Sequence, residues 1–217
     1  MTDVKQSRKQ RAAATRKRIL AAAYELFADQ GYLSTTMPEV AKAADVAVQT
    51  VYLAFRTKAA LLEQVYAAAV LGPDRVRPRD SDWFRRAVKE TDPGRSLATM
   101  VAGVLTVAAR LAPLAATMDT IDDTDVRALW AQKEALRREL HRSYVEHMKK
   151  SGALRSGLSV DRATDLFLGL SSPALYQSMT AGHRWSHRQW AHTLTDLLAH
   201  SLLRDRSASP KDPGDTL

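Results

Sequence analysis

The sequence contains no cysteine and no asparagine. Without cysteine there is no disulfide framework, no thiolate metal site and no thiol nucleophile. Without asparagine there is no N-glycosylation acceptor. Both absences fit a bacterial protein of the cytoplasm. Long uncharged runs are also scarce. The longest is Ser96 to Ala109, and extending it to Met118 crosses Arg110 and Pro113. An arginine near the centre of a membrane span costs about 2.5–3.5 kcal/mol on insertion scales, and Pro113 would interrupt the span. The run therefore reads as a buried helix, with no membrane partner. The basic N-terminus is not followed by the apolar stretch a signal peptide needs. Gly-x-Ser-x-Gly, Gly-x-Gly-x-x-Gly, phosphate-loop and His-Glu-x-x-His motifs are all missing. His141 and His147 are six residues apart on one helix and face different ways; His183 and His187 straddle a turn. They read as surface or capping histidines. No metal, cofactor or catalytic residue is expected, and the chain does not read as an enzyme.

What is present is basic and helical. The net charge is +8. The first 18 residues hold Lys5, Arg8, Lys9, Arg11, Arg16, Lys17 and Arg18 against Asp3 alone. Such an arm suits DNA phosphates or a minor groove when it lies beside a DNA-reading element. Ile19, Leu20, Ala23, Leu26 and Phe27 recur at helical spacing, which predicts a first helix over 15–29 ended by Gly31. Thr36 is the expected cap of a second helix with Pro38 in its first turn. A third is expected over 48–55, and Thr57 caps a fourth ending near Leu71. The stretch 72–80, with Gly72, Pro73 and Pro78, is the first clear break. Beyond it, helices are expected over 82–91, over 95–111 with a second piece past Pro113 to Met118, and over 125–150 after Asp122, Asp123 and Thr124. Further helices are expected from Ser159 to Leu170, over 174–180, and from Ser186 to Leu203. No strand pattern or repeat is evident, so the fold class is all-α. The expected organisation is a disordered arm 1–14, a DNA-binding domain 15–71, a larger helical domain 72–204 and a disordered tail 205–217.

The stretch 36–58, TMPEVAKAADVAVQTVYLAFRTK, reads as a helix-turn-helix. Ala41 is small enough to let the next helix approach, Val46 points inward from the turn, and Val51 packs back on the first helix. Neither helix is long enough to be stable alone, so this packing must hold both. The exposed face of the second helix carries Val48, Gln49, Thr50, Leu53 and Ala54, and early residues of such a helix reach base edges in the major groove. Over about residues 16–62 the chain resembles the tetracycline-repressor (TetR) family of bacterial transcriptional regulators. The matching residues are Phe27, Gly31, Tyr32, Thr35, Thr36, Ala41, Ala44, Val46, Thr50, Val51, Tyr52, Phe55, Lys58, Leu61 and Leu62. Three positions depart from the family pattern. Asp45 stands where the turn usually has Gly, Ala47 replaces a capping Ser or Thr, and Leu53-Ala54 replace an aromatic-His pair.

The resemblance implies a dimer that binds double-stranded DNA and answers to a small-molecule effector. Gln49 and Thr50 are the candidate base readers, with Val48 for a thymine methyl. Thr36, Tyr52, Lys58 and Arg16 are the candidate phosphate contacts. In the second domain, Met100, Val104 and Val107 share a helix face opposite Trp130 and are the candidate effector contacts. Leu166, Leu170, Leu194, Leu197 and Leu198 lie on wide apolar faces of the last helices and are the candidate dimer interface. Two rival readings remain at this point. One is a sequence-independent architectural DNA binder; the other is a helical small-molecule carrier or enzyme that no longer reads DNA.

Overall fold

Ile19, Ala23 and Phe27 recur every four residues, and all three are fully buried. They form the inner stripe of α1 (Thr2–Ser34), the first element of a computed structural model that describes residues 2–119 and 124–204. Four-residue spacing puts side chains on one helical face, and α2 (Met37–Ala43), α3 (Val48–Phe55) and α4 (Lys58–Leu71) close over it. Val40, Ala41, Val51, Phe55, Leu61, Leu62 and Val65 complete this first core. The segment expected to be a disordered arm is instead helical from Thr2. Lys, Arg and Gln around Ala12-Ala13-Ala14 are strong helix formers, and they extend α1 backwards. Gly31 takes φ 83° and ψ 166°, a non-helical conformation that glycine adopts readily, and turns the chain ahead of Ser34.

The larger unit follows Gly72. A 3-10 turn at Pro78–Asp80 leads to α5 (Asp82–Lys89), α6 (Pro93–Asp119) and α7 (Thr124–Lys150). Then come α8 (Val160–Leu170), α9 (Pro173–Gln177) with a π-turn at Ser178–Gly182, and α10 (His187–Leu202). Among the described residues there is no strand, only an isolated antiparallel pairing of Leu154 with Leu203. The fold is all-α. Asp122, Asp123 and the polar tail 205–217 lie outside the described residues.

The apolar helix α6 is the axis. It packs on α1, α4, α5, α9 and α10. Its segment Pro93–Ala115 is long and apolar enough to cross a membrane, yet here that surface meets other helices. Two pieces broken at Pro113 were expected; a single helix runs through it. Proline removes one backbone donor, and the burial of Leu111, Ala112 and Leu114 around it offsets that loss. Arg110 ties three elements together. Its guanidinium donates to the carbonyls of Ala69 (2.6 Å) and Val70 (3.2 Å) at the end of α4. Its own carbonyl accepts from the Tyr24 hydroxyl of α1 at 2.8 Å.

Gly103 of α6 is where α5 comes closest. A Cβ there would lie 2.1 Å from Cδ2 of Trp83. Gly103→Ala therefore gains helix propensity but drives the indole off its seat, and overpacking of this kind costs about 1–3 kcal/mol. The expected result is a lower urea midpoint, with part of the loss recovered by adding Trp83→Leu.

Candidate nucleic-acid interface and effector cavity

Thr36 caps α2 through a reciprocal pair of bonds. Its backbone N–H donates to the Glu39 carboxylate at 2.8 Å, and its hydroxyl oxygen accepts from the Glu39 N–H at 3.3 Å. This capping box satisfies donors that a helix start leaves open, and the Thr36 bonds hold Glu39 below its usual carboxylate range. The turn that follows puts Asp45 at φ 52°, the left-handed region. The Asp45 carbonyl is held by the Arg18 guanidinium of α1 at 2.8 Å. That bond supports a turn made without glycine, and sequence reasoning did not single out Arg18. Ala47 starts α3 with no side-chain cap.

Along α3, Val51 and Phe55 are buried, and the outer face is open. Leu53 is 88% exposed and Tyr52 47%; Gln49 is exposed, while Val48 and Thr50 are half-buried. Val48 also packs against the first core, so only part of it faces outward. Two expected phosphate contacts are engaged internally. The Arg16 guanidinium donates to the Ala54 carbonyl at 3.1 Å and lies 4.3 Å from the Phe55 ring centre, bracing the end of α3. Lys58 Nζ donates to the carbonyls of Tyr32 (2.8 Å) and Thr35 (3.0 Å) and stands over the Tyr32 ring. It closes the end of α1 instead of reaching outward. Lys58→Met is thus expected to cost about 1–3 kcal/mol of stability, since it strands buried acceptors. The salt dependence of DNA binding should be unchanged; a lost phosphate contact would flatten it by about 0.9 log units.

The second site is a cavity of about 630 Å³ between the two units. Tyr66, Ala67, Val70 and Leu71 of α4 form one wall. Val104 and Val107 of α6 form another, and α7, the 3-10 turn and Ser171 complete it. Of the four expected effector contacts, only Val104 and Val107 line it. Met100 is sealed in the second core, and Trp130 stands behind Tyr66, edge-on at 5.1 Å. The polar lining was not foreseen: Lys133, Arg137 and His141 share one face of α7. Their spacing of four residues along the helix after Trp130 was the signal available.

His141 was expected at a surface or cap, and it is buried. Burial pushes its pKa down to about 4. Nδ1 lies 2.8 Å from the Arg137 carbonyl, which only accepts, so Nδ1 carries the proton. Nε2 lies 2.9 Å from the Ser171 oxygen, whose one hydroxyl proton is shared with the Phe167 carbonyl at 2.7 Å. The unfolded chain binds this proton near pH 6.5. His141 therefore favours folding above pH 6.5, and this stability is lost as pH falls towards 4. Between pH 7 and 5 the loss is about 2 kcal/mol. Urea unfolding at both values should show this difference in the parent and its disappearance in His141→Gln.

Residues 19–65 match the sequence profile of the bacterial regulatory proteins of the tetR family. That segment is of the TetR family. No curated protein sequence matches it significantly. Solved structures of the same fold include the fatty acid degradation regulator FadR from Bacillus halodurans, at 20% identity and a TM-score of 0.72. That match covers 85% of this chain and 94% of the other. NalD, the secondary repressor of the MexAB-OprM multidrug efflux pump in Pseudomonas aeruginosa, matches at 21% and 0.68 over 90% and 99% of the two chains. FadR from Bacillus subtilis, solved in complex with stearoyl-CoA, matches at 18% and 0.69 over 84% and 97%.

The five expected interface leucines divide. Leu194 and Leu198 are fully buried in the second core, packed inside the monomer. Leu170 is half-buried against the same core. Only Leu166 of α8 and Leu197 of α10 present large apolar side chains to solvent. The α10 stripe is wide enough to show that it is buried, but Leu194 and Leu198 differ from Leu197 only in which way the helix is turned.

Proposed function

We propose that the protein is a ligand-responsive transcriptional repressor. It binds a near-palindromic operator as a homodimer in the cytoplasm and releases it when a small molecule enters the cavity. Residues 15–71 act as the DNA-reading unit, extended by the basic start of α1, and 72–204 as the effector and dimerisation unit. The observation that carries this reading is the shared wall: α4 lines the cavity and is also packed into the helix-turn-helix core. A ligand that fits one position of α4 better than another shifts the spacing of the two recognition helices. It weakens operator binding by its differential affinity for the two states and by no more. A protein of the same fold solved with stearoyl-CoA supports a ligand role for the cavity.

On the DNA side, Gln49 and Thr50 read base edges, with Val48 and the exposed Leu53 beside thymine methyls. Tyr52 and Thr36 touch phosphates. Footprinting on the gene's own upstream DNA, at near-physiological salt with excess random competitor, tests the reading. A protected near-palindrome is expected, with specific binding surviving competitor by about 10³ or more. Uniform protection would favour an architectural DNA binder. If selection from random oligonucleotides also recovered no site, the chain would be a helical binding protein without DNA readout.

A further inference from the structure

Charge in the cavity wall is not balanced. Arg77 pairs with Asp80, and Arg79 with Glu139, so both pairs at the mouth cancel within the wall. Lys133 and Arg137 do not cancel there. Their carboxylate partners, Glu63 and Glu134, lie outside the lining. Both cations are mostly buried, each with 18% of its side chain exposed, whereas Glu63 and Glu134 are 40% and 44% exposed. They sit one helical turn apart, a spacing at which like charges repel. Their donors are not exhausted. Among the described residues, Lys133 Nζ has one bond, to Glu63 at 3.2 Å. Arg137 bonds Glu134 and the Leu168 carbonyl. An ammonium has three N–H groups and a guanidinium five. Apart from His141 and Ser171, the rest of the wall is aliphatic or aromatic, with Tyr66, Val70, Val104, Val107 and Leu140 among it.

Resting on the effector reading above, we infer that the cavity takes an amphipathic anion. Its apolar body lies against α4 and α6, and its carboxylate- or phosphate-type head bridges Lys133 and Arg137. The head competes with Glu63 for Lys133. Glu63 belongs to α4, so the anion loosens an ion pair that ties the DNA-linked helix to α7. Cationic amphiphiles meet two buried like charges instead, and neutral ones leave the spare donors unmet.

The test uses the full-length protein and three probes of equal chain length, below micelle formation: decane-1-sulfonate, decyltrimethylammonium and decan-1-ol. Binding is followed by calorimetry, and operator release is measured in the same samples. The sulfonate is expected to bind at least tenfold tighter than the cation and to release operator. Lys133→Met with Arg137→Met should remove that preference while decanol binding stays; Lys133→Gln alone is the milder variant if the pair fails to fold. Glu63→Gln should tighten sulfonate binding several-fold. Decanoate and decyl phosphate then separate a carboxylate head from a phosphate head. Equal or tighter binding of the cation, an unaffected double variant, or no binding of any probe overturns the inference. Release by the cation would do so while leaving the ligand-responsive repressor intact; absence of specific operator binding would instead remove the repressor reading itself.

Discussion

Gln49→Ala combined with Thr50→Ala should weaken binding to the specific operator about a hundredfold or more, with little change in binding to random DNA. A good base-edge contact carries about 1–3 kcal/mol of discrimination, and both residues stand in the first turn of α3. Gln49 is exposed, and its removal disturbs no packing. Thr50 is half-buried, so the double variant needs a thermal melt beside the binding isotherm. A normal melt with lost operator affinity supports the assignment of the reading face. Unchanged affinity would sink it and move attention to Tyr52 and Leu53.

Leu166→Asp with Leu197→Asp should convert the protein to a monomer in sedimentation and remove most operator affinity. Both leucines are exposed on α8 and α10, helices that contact each other, so the two positions belong to neighbouring elements. Placing carboxylates against their copies in a two-fold interface opposes like charges in an apolar patch, at a cost of several kcal/mol. A monomer keeps one half-site, and the second recognition helix no longer adds its contacts. Because neither side chain is buried in the monomer, helicity should be preserved. A variant that remains dimeric would place the interface elsewhere. Leu194 and Leu198 cannot serve in this test, since a charge there unfolds the core.

The DNA-reading half was legible in the sequence because its signals are local. Thr36 as a cap, the small Ala41 and the pair Val51 and Phe55 all act within a few positions, so α3 begins and ends where the pattern puts it. The long cations were not legible. Arg16 ends on the carbonyl of Ala54 and Lys58 on that of Tyr32, partners 38 and 26 positions away, and only the fold brings them together. The same holds for the cavity. Val104 and Val107 could be picked from a helix face, but His141 meets Ser171 across 30 positions. The helicity of residues 2–14 was hidden for another reason: high charge suggested disorder, although the same residues have high helix propensity.

The Arg110 tie has a consequence for engineering chimeric regulators. The DNA-reading unit does not close its own core. Leu111 and Leu114 of α6 and Val126 of α7 fill it from the other half, and the last carbonyls of α4 rely on Arg110. A graft cut at Gly72 would therefore leave a hole and two stranded acceptors. A working transplant would have to carry the end of α6 with it, so in this protein reader and sensor are inherited together.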